Sequence, residues 1–278
     1  MFDGRNLLIA TKHRKETVIA PLFSDAFGVH CFTSDEFDTD SLGTFSGEIA
    51  RKKNIIETLR DKCDLASKTV GADLVVASEG SFGAHPTLFF AHADDEWIML
   101  KDYRNNLEIT AREMSVETNF NGEAIANKPM LKAFADKAQF PTHGIILKPA
   151  EANYNKVIKD IENWVELDQQ FDKLINEFGT AYAETDMRAM RNPTRMKVIA
   201  KVTEKLIAKI KNTCPSCDYP GFDVTEIKPG LPCSNCLLPT RSTLSHIYQC
   251  KNCNHTAEKR HPRNLLFEDP MYCDHCNP

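Results

Sequence analysis

Apolar positions in the first half of the chain fall into short runs separated by segments of helical period. Residues 6–10 (NLLIA) form a run short enough for a buried parallel strand. Thr11 is a candidate N-cap for the next segment. Residues 14–27 read as a helix ending at Gly28, with Pro21 predicting either a kink or a restart in which it occupies a first turn. Residues 29–33 (VHCFT) form a second strand, and the Asp-, Ser-, Thr- and Gly-rich stretch 34–53 a loop. Residues 54–70 give the clearest helix: Ile55, Leu59, Cys63, Ala66 and Val70 share one face, Asn54 caps it and Gly71 stops it. A buried strand over 73–78 (DLVVAS) and a loop EGSFGAHP come after it.

Further on, 97–103 and 107–113 predict a hairpin around Arg104-Asn105-Asn106. A helix over 128–138 and a strand over 144–148 come next, then a long helix over 154–178 and a basic helix over 194–211. The alternation is that of an α/β fold with a mixed, mostly parallel sheet and flanking helices, followed by a helical segment and a small cysteine-rich domain. The expected boundaries are 1–150, 151–212 and 213–278.

The cysteines change the picture most. Of ten, only Cys31 and Cys63 precede residue 213. The others form four CxxC pairs: Cys214/Cys217, Cys233/Cys236, Cys250/Cys253 and Cys273/Cys276. In a reducing compartment such pairs are metal ligands rather than disulfides. Two pairs complete a closed tetrahedral zinc site, which stabilises a segment too poor in apolar residues to fold alone. Consecutive pairing, giving two zinc ribbons in series, is the favoured expectation; pairing of the first with the third is the rival. His246, His255, His261 and His275 are surplus to two sites already satisfied by cysteine.

The chain of 278 residues carries a net charge of −5, which disfavours a general nucleic-acid coat protein. No run of about 18 apolar residues and no signal-peptide pattern is present, so the expectation is a cytoplasmic protein without a membrane span. The cysteine-rich tail holds six basic and seven acidic residues, short of a nucleic-acid footprint. The segment 186–211 is the exception. Arg188, Arg191, Arg195, Lys197, Lys201, Lys205, Lys209 and Lys211 face only Asp186 and Glu204. Arg188 and Arg191, at i and i+3, are candidates to clamp a phosphate in a substrate or in nucleic acid. The lysines recurring every four residues read as a solvated helix face.

Three stretches would converge at the carboxyl ends of parallel strands, where open α/β sheets bind ligands. Lys12, His13, Arg14 and Lys15 suit an anion beside a helix start. Glu57 and Lys62 lie on the central helix, although Asn54-x-x-Glu57 is also a capping box. Glu79 and Ser81 follow the third strand, where Glu79 is placed to hold a hard cation, with Gly80 and Gly83 readable as turn residues.

The succession ATKHRK, GTFSGEIARKKNIIETLRDKC, ADLVVASEGSFG resembles the inosine-triphosphate pyrophosphatase superfamily over about residues 6–148. That resemblance implies magnesium-dependent hydrolysis of nucleoside triphosphates with unusual bases, releasing pyrophosphate. It puts Glu57 and Glu79 on magnesium and Lys15 and Lys62 on phosphates. It adds Glu48 as a further acid and Thr142-His143 as part of a base-recognition element. The pattern departs at His13 (Asn expected), at SEGS (paired Asp expected) and at Gly144 (Arg expected). The whole chain resembles an uncharacterised bacterial family that joins such a domain to cysteine pairs. The partners implied are a nucleotide or another phosphorylated small molecule, with an oligomer open. The alternative is a non-catalytic zinc-ribbon protein binding nucleic acid or protein through a degenerate α/β domain.

Overall fold

The first apolar run is an interior strand of a five-stranded mixed sheet. In this computed structural model, which describes residues 1–36 and 54–278, β1 (Asn6–Ala10) lies between β2 (His30–Phe32) and β3 (Leu74–Ala84), parallel to both. β4 (His92–Asp102) and β5 (Leu107–Ser115) extend the sheet antiparallel, in the order β2-β1-β3-β4-β5. Parallel pairing is therefore confined to β2-β1-β3, and the sheet is mixed. The expected loop EGSFGAHP is mostly strand: β3 runs on to Ala84 because β4 supplies a full antiparallel partner as far as His92.

α1 (Glu16–Phe27) runs unbroken through Pro21, and its N-cap is Lys15. Thr11 instead turns its hydroxyl to the carbonyl of Lys12. α2 (Ile55–Val70) is capped and stopped as its sequence predicts, with Gly71 in the left-handed conformation at φ 75°. It buries Leu59, Cys63 and Ala66 against Leu8, Val75, Ala77 and Met99 of the sheet.

A second sheet, order β6-β8-β7, joins β6 (Gly122–Ala124), β7 (Ile145–Lys148) and β8 (Tyr182–Thr185), all antiparallel. α3 (Lys128–Ala138) and α4 (Trp164–Phe178) pack Leu131, Phe134, Leu167, Phe171 and Leu174 against Ile145, Leu147 and Ala183. α4 is shorter than the expected 154–178. Asp160 is left-handed at φ 62°, Asn163 caps the helix, and Ile158 bridges Leu147 instead of turning helical.

The chain forms two units, Met1–Leu206 and Ile207–Pro278. Residues 1–150 and 151–206 thus share one unit, because β8 lies between β6 and β7 in a single sheet. α5 (Pro193–Lys211) begins in the first unit and ends in the second. The second unit is a three-stranded antiparallel sheet, β9 (Asp223–Pro229), β10 (Thr243–Gln249) and β11 (Thr256–Arg260), in the order β11-β10-β9. No helix among the described residues is long and apolar enough to cross a membrane.

The Asn54 side chain accepts from the Glu57 amide at 2.9 Å while the Glu57 carboxylate accepts from the Asn54 amide at 3.3 Å. Loss of this reciprocal cap in Asn54→Ala is expected to cost about 1 kcal/mol in urea unfolding. Glu57→Gln, which keeps a capping-box acceptor, is expected to cost a few tenths of that.

Candidate metal centres and a buried charge cluster

The eight tail cysteines form two clusters: Cys214, Cys217, Cys250 and Cys253 in one, Cys233, Cys236, Cys273 and Cys276 in the other. Pairing is interleaved, first with third and second with fourth, which overturns the serial ribbons. The reason is topological. β9 carries the chain from the first pair to the second and β10 carries it back to the third, so alternate pairs meet at the same end of the sheet. Within each cluster all four sulfurs lie within 4.8 Å of one another. Contacts of 3.7 Å (Cys214–Cys253), 3.6 Å (Cys217–Cys250), 3.9 Å (Cys233–Cys276) and 3.6 Å (Cys236–Cys273) match the edge of about 3.8 Å of a tetrahedron with Zn–S near 2.3 Å. They are far too long for disulfides. Both donor sets fit zinc.

The local chain is built for this. After the second cysteine of the first three pairs, Asp218, Leu237 and Asn254 turn left-handed at φ 56°, 62° and 59°, a conformation unfavourable for leucine that only a fixed turn would impose. Amides point at sulfur: Asn235 and Asn252 N–H donate to Cys233 and Cys250 at 3.4 Å. The backbone amides of Cys236 and Asn235 pull the Cys233 thiol down to about 7. Against burial, those of Cys253 and Asn252 do the same for Cys250, to about 7. Both are thereby closer to the thiolate form that a metal needs.

In the first unit, three of the predicted stretches meet. Lys15 Nζ donates to Ser78 Oγ at 3.1 Å, and Lys62 forms an ion pair with Glu79; all four side chains are buried. Burial and the nearby Arg195 charge push the Lys15 ammonium down to about 8. His13 and Arg14, just before it, are both left-handed at φ 65° and 60°, strain of the kind found at ligand-binding turns. Lys12 and His13 are half-buried in the same turn, and Ser81 shares the Glu79 face of β3.

The face of β3 and β4 that carries Ser78, opposite to that of Glu79, holds residues the sequence reading missed. Arg195 Nε donates to Glu96 Oε1 at 2.6 Å, with both side chains closed to solvent. Arg195 Nη1 reaches the Met187 carbonyl at 2.5 Å, and its guanidinium lies 5.2 Å over the Phe82 ring. Gly80, paired with Glu96 in register, leaves the room: a Cβ there would stand 2.3 Å from Glu96 Oε1. Two positions along β4, Asp94 is 1% exposed. Burial and the Glu96 charge push its carboxyl up to about 8. The signal was available: with β4 begun at residue 92, Asp94 and Glu96 take the same inward parity as Ile98 and Leu100.

Other candidates are placed elsewhere. Glu57 is exposed and spent on the cap; at 100° per residue it lies about 160° round α2 from buried Leu59, away from the sheet. It does not meet Glu79 as a cation pair. Arg188 and Arg191 are no phosphate clamp, because their charges are already met. Arg188 grips Asp186 at 2.6 Å and Asp160 at 2.9 Å, and Arg191 holds Asp160 at 2.8 Å. His143 is buried, its Nε2 against Thr194 Oγ1 at 2.9 Å and its Nδ1 against Thr142 Oγ1 at 3.2 Å. That arrangement ties β7 to α5. Gly144 is a close approach: a Cβ would meet Asp186 at 2.9 Å and Arg191 at 3.0 Å, so an arginine has no place there. The lysine face of α5 is only partly solvated: Lys201 and Lys205 pair with Glu117 and Glu113, and Lys209 with Asp223. Glu48 lies outside the described residues.

Interleaved pairing has a direct test in metal counting by native mass spectrometry. Cys214→Ala with Cys250→Ala is expected to lose one of two ions; Cys214→Ala with Cys233→Ala is expected to lose both. Asp94 gives a pH prediction. Its folded carboxyl titrates above its unfolded value, so folding takes up a proton, and stability falls as pH rises from about 4 to about 8. In chelator-washed apoprotein at the first unit's unfolding step, Asp94→Asn is expected to flatten that slope. It is also expected to stabilise by on the order of 1–3 kcal/mol at pH 8.

No curated protein matches the chain. Among solved structures, the lipoprotein GNA1162 from Neisseria meningitidis aligns with 48% of this chain and 93% of its own at 15% identity. The TM-score is 0.21, too low to support an argument. A family model described as a domain of unknown function, DUF6671, matches residues 62–278. That span includes Lys62, Glu79, Asp94, Glu96, Arg195 and all eight tail cysteines. The chain belongs to the DUF6671 family.

Proposed function

We propose that the first unit hydrolyses nucleoside triphosphates, those with unusual bases among them, and releases pyrophosphate, while the tail clusters hold structural zinc. The supporting observation is that Lys15 on Ser78 and Lys62 on Glu79 bring two lysines from separate stretches to neighbouring residues of β3, within electrostatic reach of each other, where β1 ends and β3 continues. In this reading Lys15 and Lys62 offset charge on the phosphates, and amides of the His13–Arg14 turn add donors. Glu79, oriented by Lys62, accepts the proton of the attacking water. The resemblance would put magnesium on Glu57 and Glu79, but Glu57 closes α2 on its outer side. That pair does not fit the ion.

A panel of standard and deaminated nucleoside triphosphates with magnesium or manganese tests the reading. Pyrophosphate release is expected, reduced about 100-fold or more in kcat/KM by Lys15→Met and by Glu79→Gln. Absence of release from every member would overturn it.

One observation favours a second, non-catalytic role for the tail. Leu237, Leu266, Phe267, Met271 and Tyr272, all 50% or more exposed, flank the second cysteine cluster in sequence. Such apolar exposure suits a protein partner. Nucleic acid is the weaker alternative, because Arg188, Arg191 and three α5 lysines already have acidic partners.

A further inference from the structure

Glu96 Oε2 and both carboxylate oxygens of Asp94 are buried and accept no hydrogen bond among the described residues. The residues themselves are 0% and 1% exposed. Buried carboxylate oxygens without donors are rare in native proteins and point to a bound ion, an ordered water or a shared proton. Standing two apart on β4, these side chains share one face, and Asp94 lies within the electrostatic reach of Glu96. The surroundings hold Glu96 in place. Arg195, anchored to the Met187 carbonyl and with its own amide on Asn192, takes Oε1 only. Gly80 keeps the space opposite open. Lys15 spends a proton on Ser78. Asp94 takes none of these hydrogen bonds, and of the cations the charges of Arg195 and Lys15 reach it.

We infer that Asp94 and Glu96 are the seat of a hard divalent cation, magnesium or manganese. The donors are oxygen only, without histidine or cysteine, which selects hard ions over zinc. Two carboxylates leave the remaining positions to water or phosphate oxygens, the arrangement magnesium favours. The seat replaces the Glu57–Glu79 pair suggested by sequence. Its use in catalysis rests on the hydrolase reading; its occupancy does not.

The test uses full-length zinc-loaded protein, freed of other metals, with manganese alone as probe. Electron paramagnetic resonance titration is expected to show one bound manganese, displaced by magnesium, and a raised melting temperature. Asp94→Asn, which relieves buried charge and so should fold, is expected to weaken manganese at least tenfold; Glu96→Gln is expected to do the same. Glu57→Gln should leave affinity unchanged. Unaltered manganese affinity in Asp94→Asn, or no bound manganese in the wild type, would overturn the inference and leave the pair holding a shared proton. Manganese bound as expected with no pyrophosphate released from any nucleotide would remove the hydrolase reading alone.

Discussion

Arg195 and Glu96 form an ion pair with no exposed surface, and much of the first unit is arranged to permit it. Burying two charges costs several kcal/mol per ion unless each is fully compensated. Compensation comes from four directions. The Met187 carbonyl takes Nη1, Phe82 offers its ring face, Asn192 Oδ1 accepts the Arg195 amide at 2.9 Å, and Gly80 removes the Cβ that would collide. The pair fixes the first turn of α5 against β4. The helix then lays Val198, Ile199 and Val202 into the interior, with Lys201 and Lys205 reaching Glu117 and Glu113. Asp94 inherits its burial from this arrangement and feels the Arg195 charge without a hydrogen-bond donor of its own, so the functional question concentrates on that carboxyl.

The tail solves a different problem. Its buried apolar cluster is little more than Phe222 with Cys214 and Cys250, far below what a unit of this size needs to offset chain entropy. Interleaved cysteine clusters replace the missing core. Because β9 and β10 each run from one cluster to the other, separated by on the order of 20 Å of strand, a metal held at either end would fix two strands at once. Serial ribbons would form two independent folds; in the interleaved arrangement the loss of a zinc held at either cluster would be felt across the whole sheet.

The legibility of the sequence followed the range of the interactions. Elements set by neighbouring residues were readable: α2 with its Asn54 cap and Gly71 stop, α3, the β4–β5 hairpin and the CxxC turns. Elements set by distant partners were not. β3 looked finished at Ser78 because its polar continuation is held by pairing to β4. β8 has only four residues and exists through β6 and β7. Cysteine pairing depends on strand direction, which spacing does not encode. At the site, Lys15, Lys62 and Glu79 came from local pattern, whereas Asp94, Glu96 and Arg195 sit in segments whose burial is decided 99 residues apart.

The location of the charge cluster follows from one mismatch of strand lengths. β1 pairs with β3 only from Val75 to Ala77 and ends at Ala10, whereas β3 continues for seven residues beyond Ala77, to Ala84. Past that point one edge of β3 has lost its neighbouring strand. Backbone there no longer needs apolar side chains to match a parallel partner, and the turn carrying His13, Arg14 and Lys15 arrives in the vacated position, bringing Lys15 to Ser78. On the other edge β4 keeps its pairing, so the residues that face one another, Gly80 with Glu96 and Phe82 with Asp94, are held rigidly. Polar groups thus gather where a sheet changes from parallel to antiparallel, on a frame stiff enough to keep buried charges a fixed distance apart. A ligand entering there meets groups already oriented, which is the condition under which electrostatic stabilisation costs no reorganisation.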